Sequence, residues 1–203
     1  MKPVSTLSDK ALKVANARGI ARARDFREAG IPLTYLKRLC DSGKLVRLGR
    51  GIYQRSDFDN FHAGHDLAEA ARLVPNGVVC LLSALRLHGL TTQLPHKTWL
   101  TIGGKARAPR HPSCPLEIVR ASGDAFSEGR MTVNIEGVEV PVFNPAKTVA
   151  DCFKYRRRVG LDVAVEALRD VLKFRKATRP ALWHYAGVCR VQPLMRPYLE
   201  ALT

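Results

Sequence analysis

An α+β fold is predicted by three features of this 203-residue sequence. Residues Gly19 to Asp41 carry two short stretches of helical spacing, and Lys44 to Arg55 alternates hydrophobic and charged residues around a glycine-flanked arginine tip. Later, strand-like runs precede a helical tail. The first two features make an N-terminal winged helix-turn-helix domain over residues 1–57, and the remainder makes a larger mixed α+β domain over residues 58–203.

In chain order, the spacing predicts a first helix from about Ser8 to Arg18, with Ser8 as N-cap, Asp9 in the first turn and Gly19 just past the end. In the next helix Phe26 and Ala29 lie three apart and turn inward, and in the one after it Leu36, Leu39 and Cys40 follow the i, i+3, i+4 rule. Gly30 suits the helix end between them, and Pro32 fits the first turn of the second because its missing N–H would be unpaired there. A good N-cap side chain is absent at that start. Facing outward are Thr34, Tyr35, Lys37, Arg38 and Asp41. In the hairpin that follows, Gly49 and Gly51 can take the positive φ that a tight tip requires.

Residues Asp57 to Gly64 read as a connector, and HDLAEAARLV has the helical spacing that opens the second domain. Next come a helix over Leu81 to His88, a strand over Thr98 to Ile102, and a loop from Gly103 to Pro115 rich in Gly, Pro and basic residues. The strands LEIVR, MTVNI and VEVPVF follow, with Glu136-Gly137 turning between the last two. Asn144-Pro145 sets up a helix from about Ala146 to Tyr155, Asp162 caps one running to about Lys173, and a last helix follows Pro193. No internal repeat is visible.

The chain holds 33 Lys+Arg against 18 Asp+Glu, a net of +15, which attracts polyanions. Residues 1–58 contribute 13 bases and 5 acids, or +8; residues 59–203 contribute 20 and 13, or +7. A solvated basic helix is the bland alternative for any such run. Joined to the helix-turn-helix spacing and the arginine-tipped hairpin, the charge points to DNA. No stretch nears the roughly 20 apolar residues a membrane span needs, and no signal-peptide hydrophobic region is seen, so a cytoplasmic location is expected. Cysteines 40, 80, 114, 152 and 189 are odd in number and widely spread, which suits buried thiols better than a disulfide framework or a zinc site.

Catalysis is not expected. A metal-dependent nuclease needs strand carboxylates with a nearby lysine, but Glu117 is followed by Ile118-Val119 and Glu139 by Val140-Pro141. The six histidines show no metalloprotease spacing, and neither a nucleophile elbow nor a P-loop occurs. Hence no catalytic residue, no metal ligand and no cofactor is predicted. Ser83 and His88 are five apart on one helix and do not share a face well, so His88 is read as bonding a backbone carbonyl and Gly89 as ending the helix. Lys147 and Asp151, at i and i+4, pair across a helical turn and stabilise modestly. The run Lys154 to Arg158 touches nucleic acid or an acidic partner, or forms a solvated helix end, where cations suit the dipole.

The hairpin string LVRLGRGIYQ, then CLLSALRLHGLTTQLP with the strand WLTI, then NPAKTVADCFKYRRRVGLDVAVEALRD, resembles the AbiEi antitoxins of bacterial abortive-infection systems over nearly the whole chain. One departure is Ile31-Pro32, where relatives often carry a Ser N-cap. The resemblance implies a transcriptional autorepressor that binds double-stranded DNA at inverted repeats of its own operon, as two copies on the symmetric site, and counteracts a cognate nucleotidyltransferase toxin. Toxin capture and action without contact both stay open. A stand-alone winged-helix regulator with a ligand-sensing or dimerising C-terminal domain is the alternative. On the residues themselves, Thr34, Tyr35, Lys37 and Arg38 are expected to read the major groove, with Arg38 bidentate to guanine. Arg22, Arg24, Lys44, Arg47, Arg50 and Arg55 are expected to contact phosphates or the adjacent minor groove.

Overall fold

The computed structural model describes residues 6–56, 64–109 and 112–202, so the expected connector lies, up to residue 63, outside the described residues. The chain divides into two compact units. One comprises Met1–Pro75, Pro109–Cys114 and Asn134–Val140, the other Asn76–Ala108, Pro115–Val133 and Pro141–Thr203. As predicted, the fold is α+β, a winged helix-turn-helix followed by a larger mixed region.

The first unit runs α1 (Leu7–Arg18), β1 (Ile20–Arg22), α2 (Ala23–Glu28), α3 (Leu33–Asp41), β2 (Leu45–Gly49), β3 (Ile52–Arg55) and α4 (His65–Leu73). α1 begins one residue earlier than the spacing suggests because Thr6, not Ser8, caps it. The Thr6 hydroxyl accepts from the Asp9 amide at 3.2 Å while the Asp9 carboxylate accepts from the Thr6 amide at 3.0 Å, a reciprocal capping box. β1 was not foreseen. It pairs antiparallel with β3, which pairs antiparallel with β2, in the order β1-β3-β2. Ala11, Ala15, Ala21, Phe26, Ile31, Leu36, Leu39 and Leu45 fill the core between helices and sheet, with the Phe26 ring edge-on to Tyr53 at 5.8 Å. Ala29 lies exposed beyond the end of α2 rather than inward, and Cys40 is only half-buried.

The sequence assigned to the second sheet and its covering helices runs β4 (Val78–Val79), α5 (Leu81–Leu87), β5 (Thr98–Gly103), β6 (Leu116–Ala121), α6 (Asp124–Ser127), β7 (Arg130–Ile135), β8 (Val138–Phe143), α7 (Pro145–Lys154), α8 (Arg156–Val159), α9 (Leu161–Lys173), α10 (Arg179–Val188) and α11 (Gln192–Ala201). Strand order is β6-β5-β4-β8-β7; β5 and β6 are parallel, β4 is antiparallel to β5 and parallel to β8. One core joins Val78, Leu81, Leu85, Phe143, Val149 and Phe153 to Leu168, Val171, Leu182 and Met195.

His88 does bond a backbone carbonyl: its Nε2 donates to Phe143 O at 2.7 Å. Burial, with the Lys176 charge nearby, holds its pKa below the usual value despite that bond. The unfolded chain, titrating near about 6.5, therefore takes the proton first. This contribution to stability is complete above about pH 6.5 and is lost as pH falls through the folded value. A His88→Gln protein, which cannot titrate there, should show a flatter melting temperature between about pH 7 and pH 5. An unchanged slope would remove His88 from the acid response.

The Lys147–Asp151 pair is formed as the i, i+4 spacing predicts, and it is buried. Lys147 Nζ sits 2.5 Å from Asp151 Oδ2, with the two side chains 0% and 6% exposed. Asp151 Oδ1 accepts from the Cys189 thiol at 3.2 Å, and the ammonium lies 4.3 Å from the Phe143 ring centre. Helical spacing makes such a pair adjacent without revealing that its face is turned into the core. The Lys154–Arg158 run is likewise not simply solvated. After α7 the chain re-enters a short helix, and the Arg158 guanidinium pairs with Glu117 and lies 5.1 Å from the Trp99 ring centre. Four of the five cysteines are buried thiols, as expected, and all five are free.

Candidate nucleic-acid interface

The outward face of α3 follows directly from its apolar stripe. Leu36 and Leu39 are buried, which leaves Thr34, Lys37, Arg38 and Asp41, at i, i+3, i+4 and i+7, exposed in one row. Tyr35 stands on the shoulder of this row. It is half-buried against the core, and the Arg38 guanidinium lies 5.7 Å from its ring centre, which splays Arg38 along the ring. α3 starts at Leu33 with Pro32 as N-cap and no side-chain cap, the local consequence of Ile31-Pro32. Buried Ile31 precedes the cap and buried Leu36 stands at the fourth helical position, the two places of a hydrophobic staple. Gly30, at φ +75°, lets the chain reverse between α2 and α3.

The wing is a two-residue hairpin with Arg50 and Gly51 at its tip. Only Gly51 takes positive φ, at +72°. Gly49 lacks positive φ; it stands where the β2–β3 register shifts, between Arg47 and Gly49, and a Cβ there would stand 2.9 Å from the end of the Leu73 side chain. The Gly51 carbonyl accepts from the Ala23 amide at 2.8 Å, which ties the tip to the first residue of α2. Arg50 and Arg47 are exposed, although Arg47 Nε also donates to Gly49 O at 3.1 Å.

The remaining named bases divide. Arg24 is exposed, one residue from the Ala23–Gly51 bond, with Asp25 3.9 Å from its Nε. Arg22 is half-buried. Its Nη2 donates to the Arg72 carbonyl at 3.0 Å, and burial with the Arg24 charge lowers its pKa. Lys44 and Arg55 sit at the open end of the hairpin, away from the tip; Lys44 Nζ is 3.4 Å from Ser8 Oγ, and Arg55 is half-buried. Thr34, Lys37 and Arg38 thus form one exposed row, Arg47, Arg50 and Arg24 stand at or near the tip, Arg22 is paired beside it but half-buried, and Lys44 and Arg55 stand apart at the open end.

A further arginine is not legible in the sequence. Arg72 of α4 has a buried Nε without a hydrogen-bond partner, and burial together with the charges of Arg22, Arg18 and Arg24 lowers its pKa, with Asp25 alone opposing. No local signal announces this arginine cluster, because Arg72 lies fifty positions from Arg22. Near it, His65 Nδ1 is 2.8 Å from Glu136 Oε2, and the other ring nitrogen is 3.4 Å from the amide of buried Gln54 on β3. That contact braces the wing strand from behind.

Fold and sequence together define a winged helix-turn-helix protein with an exposed basic face on α3 and the wing. Residues 9–56 match the AbiEi_4 family model, described as "Transcriptional regulator, AbiEi antitoxin", so this part of the chain is similar to that family, as the resemblance implied. The crystal structure of the RV2827C protein from Mycobacterium tuberculosis matches with a TM-score of 0.63 at 13% identity, over 92% of this chain and 73% of that one. Likeness at that identity is one of fold. No curated protein matches in sequence. Among the described residues, no helix is long and apolar enough to cross a membrane.

Proposed function

We propose that this chain is a DNA-binding antitoxin and transcriptional autorepressor of a bacterial toxin-antitoxin operon, with residues 1–57 gripping DNA and residues 58–203 opposing a cognate nucleotidyltransferase toxin. The exposed row Thr34, Lys37, Arg38 beside an arginine-tipped wing carries this proposal. An α-helix fits the major groove, where a forked guanidinium matches the two acceptors of guanine. Arg38 is assigned that contact; Arg47, Arg50 and Arg24 are assigned to phosphates, which position the helix without reading sequence. Two copies fit the symmetry of an inverted repeat. The chain acts by occupancy in the cytoplasm and performs no chemistry.

Arg38→Ala should lose about 1–3 kcal/mol of preference among operator variants. Arg50→Ala should instead weaken all duplexes together. Binding of both proteins to the DNA upstream of their own gene, unchanged from the parent, would overturn the assignment. Opposition to the toxin is proposed to proceed without capture, by competition for the toxin's nucleic-acid or nucleotide target. Stable co-elution of purified toxin with this chain would remove that part alone.

A further inference from the structure

The unit that holds α9, α10 and α11 carries a basic cleft with a bare aromatic ring at its edge. From Arg169 to Arg179 the sequence places the bases Arg169, Lys173, Arg175, Lys176 and Arg179 against one acid, Asp170. Arg169 and Lys173 on the last turns of α9 and Arg179 at the start of α10 line an open cleft of about 510 Å³, floored by Leu172 and Leu202. Arg179 is held in place by donating to the carbonyls of Leu199 at 2.7 Å and Leu202 at 2.5 Å. Arg169 Nε lies 3.4 Å from Asp170 Oδ1, a partner that offsets one of the three cations and leaves an excess.

Phe174 follows α9 directly and is 51% exposed, although the core beneath it is closed by Leu168, Val171 and Leu182, all fully buried. Lys173 Nζ stands 5.5 Å from the ring centre and Lys176 Nζ 5.9 Å. Lys173 therefore joins cleft and ring into one surface. Lys176 also donates to the His88 carbonyl, which fixes that side of the ring. The residue thus offers exposed aromatic surface beside two cations.

We propose that this surface binds single-stranded nucleic acid, with a phosphate held by Arg169, Lys173 and Arg179 and an adjacent base stacked on Phe174. Cations alone would accept any polyanion. The ring makes the choice, because a duplex hides the faces of its bases while an unpaired strand offers them, and every base has a π-face. The site is separate from the duplex-reading role assigned to α3 and does not rest on it.

The test uses the full-length protein and fluorescently labelled oligouridine and oligothymidine of about 12 nucleotides, with a hairpin duplex and a glutamate-rich peptide as comparisons. Both strands should bind, and Phe174→Ala should weaken them about tenfold, with Phe174→Tyr restoring binding. Lys173→Glu should weaken them and flatten the salt dependence by about 0.7 per phosphate lost. Arg38→Ala should leave strand binding unchanged. A preference for oligouridine identifies RNA as the source, and equal binding identifies a strand of either kind. Thermal melts matching the parent confirm that each variant is folded. Absence of strand binding, indifference to Phe174→Ala, or tighter binding of the acidic peptide than of either strand would overturn the proposal.

Discussion

Lys147→Ala is expected to lower stability by about 3–5 kcal/mol, because it leaves the Asp151 carboxylate in the core without its counter-charge. The remaining Cys189 thiol is a weak donor and does not replace an ammonium. Asp151→Ala should cost a similar amount by stranding the lysine. Replacing both at once, as Lys147→Met with Asp151→Leu, removes two desolvation penalties together with the attraction and should recover most of the loss. The chain's two tryptophans, Trp99 and Trp183, both lie in the unit that holds this pair, so their fluorescence in a urea titration follows the relevant transition. A loss under about 1 kcal/mol for both single variants would show that water reaches the pair.

Duplex binding should be as sensitive to salt as the fold is to that ion pair. If about six phosphate contacts form, the logarithm of the association constant falls against the logarithm of salt with a slope of about −5. Between 50 and 200 mM salt that amounts to roughly a thousandfold. Arg50→Ala should reduce the slope by about 0.9, as should Arg47→Ala. Arg72 offers a sharper discrimination. It stands beside the charges of Arg22, Arg18 and Arg24, so Arg72→Met, which removes one charge from this cluster, should weaken every duplex alike while leaving preference among operators intact. A slope shallower than about −2 for the parent protein would mean that the wing and the α2 arginines do not touch the backbone.

Much of the N-terminal fold was legible because it is written in local spacing. Leu36 and Leu39 fix the inner face of α3, and that alone exposes Thr34, Lys37 and Arg38. What escaped depends on partners far along the chain. β1 has three residues, too few for an alternating pattern, and exists because Ile20, Ala21 and Arg22 meet Gln54, Tyr53 and Ile52. β4 has two residues and is equally silent. α10 does carry a local signal: Thr178 accepts from the Ala181 amide at 3.3 Å, and Pro180 stands in the first turn, the usual start of a helix. Burial was the least visible quantity. Lys147 reads as a solvent-facing base, and only the packing of α7 against α5, α9 and α10 turns it inward.

The bond from the Ala23 amide to the Gly51 carbonyl separates two neighbouring positions of the tip. Residue 51 is constrained twice, by its left-handed backbone and by that bond, whereas the side chain of residue 50 points away from the scaffold with nothing to hold. A change at residue 50 can therefore alter the charge of the tip through a single codon, without touching the bond or the left-handed backbone that build it.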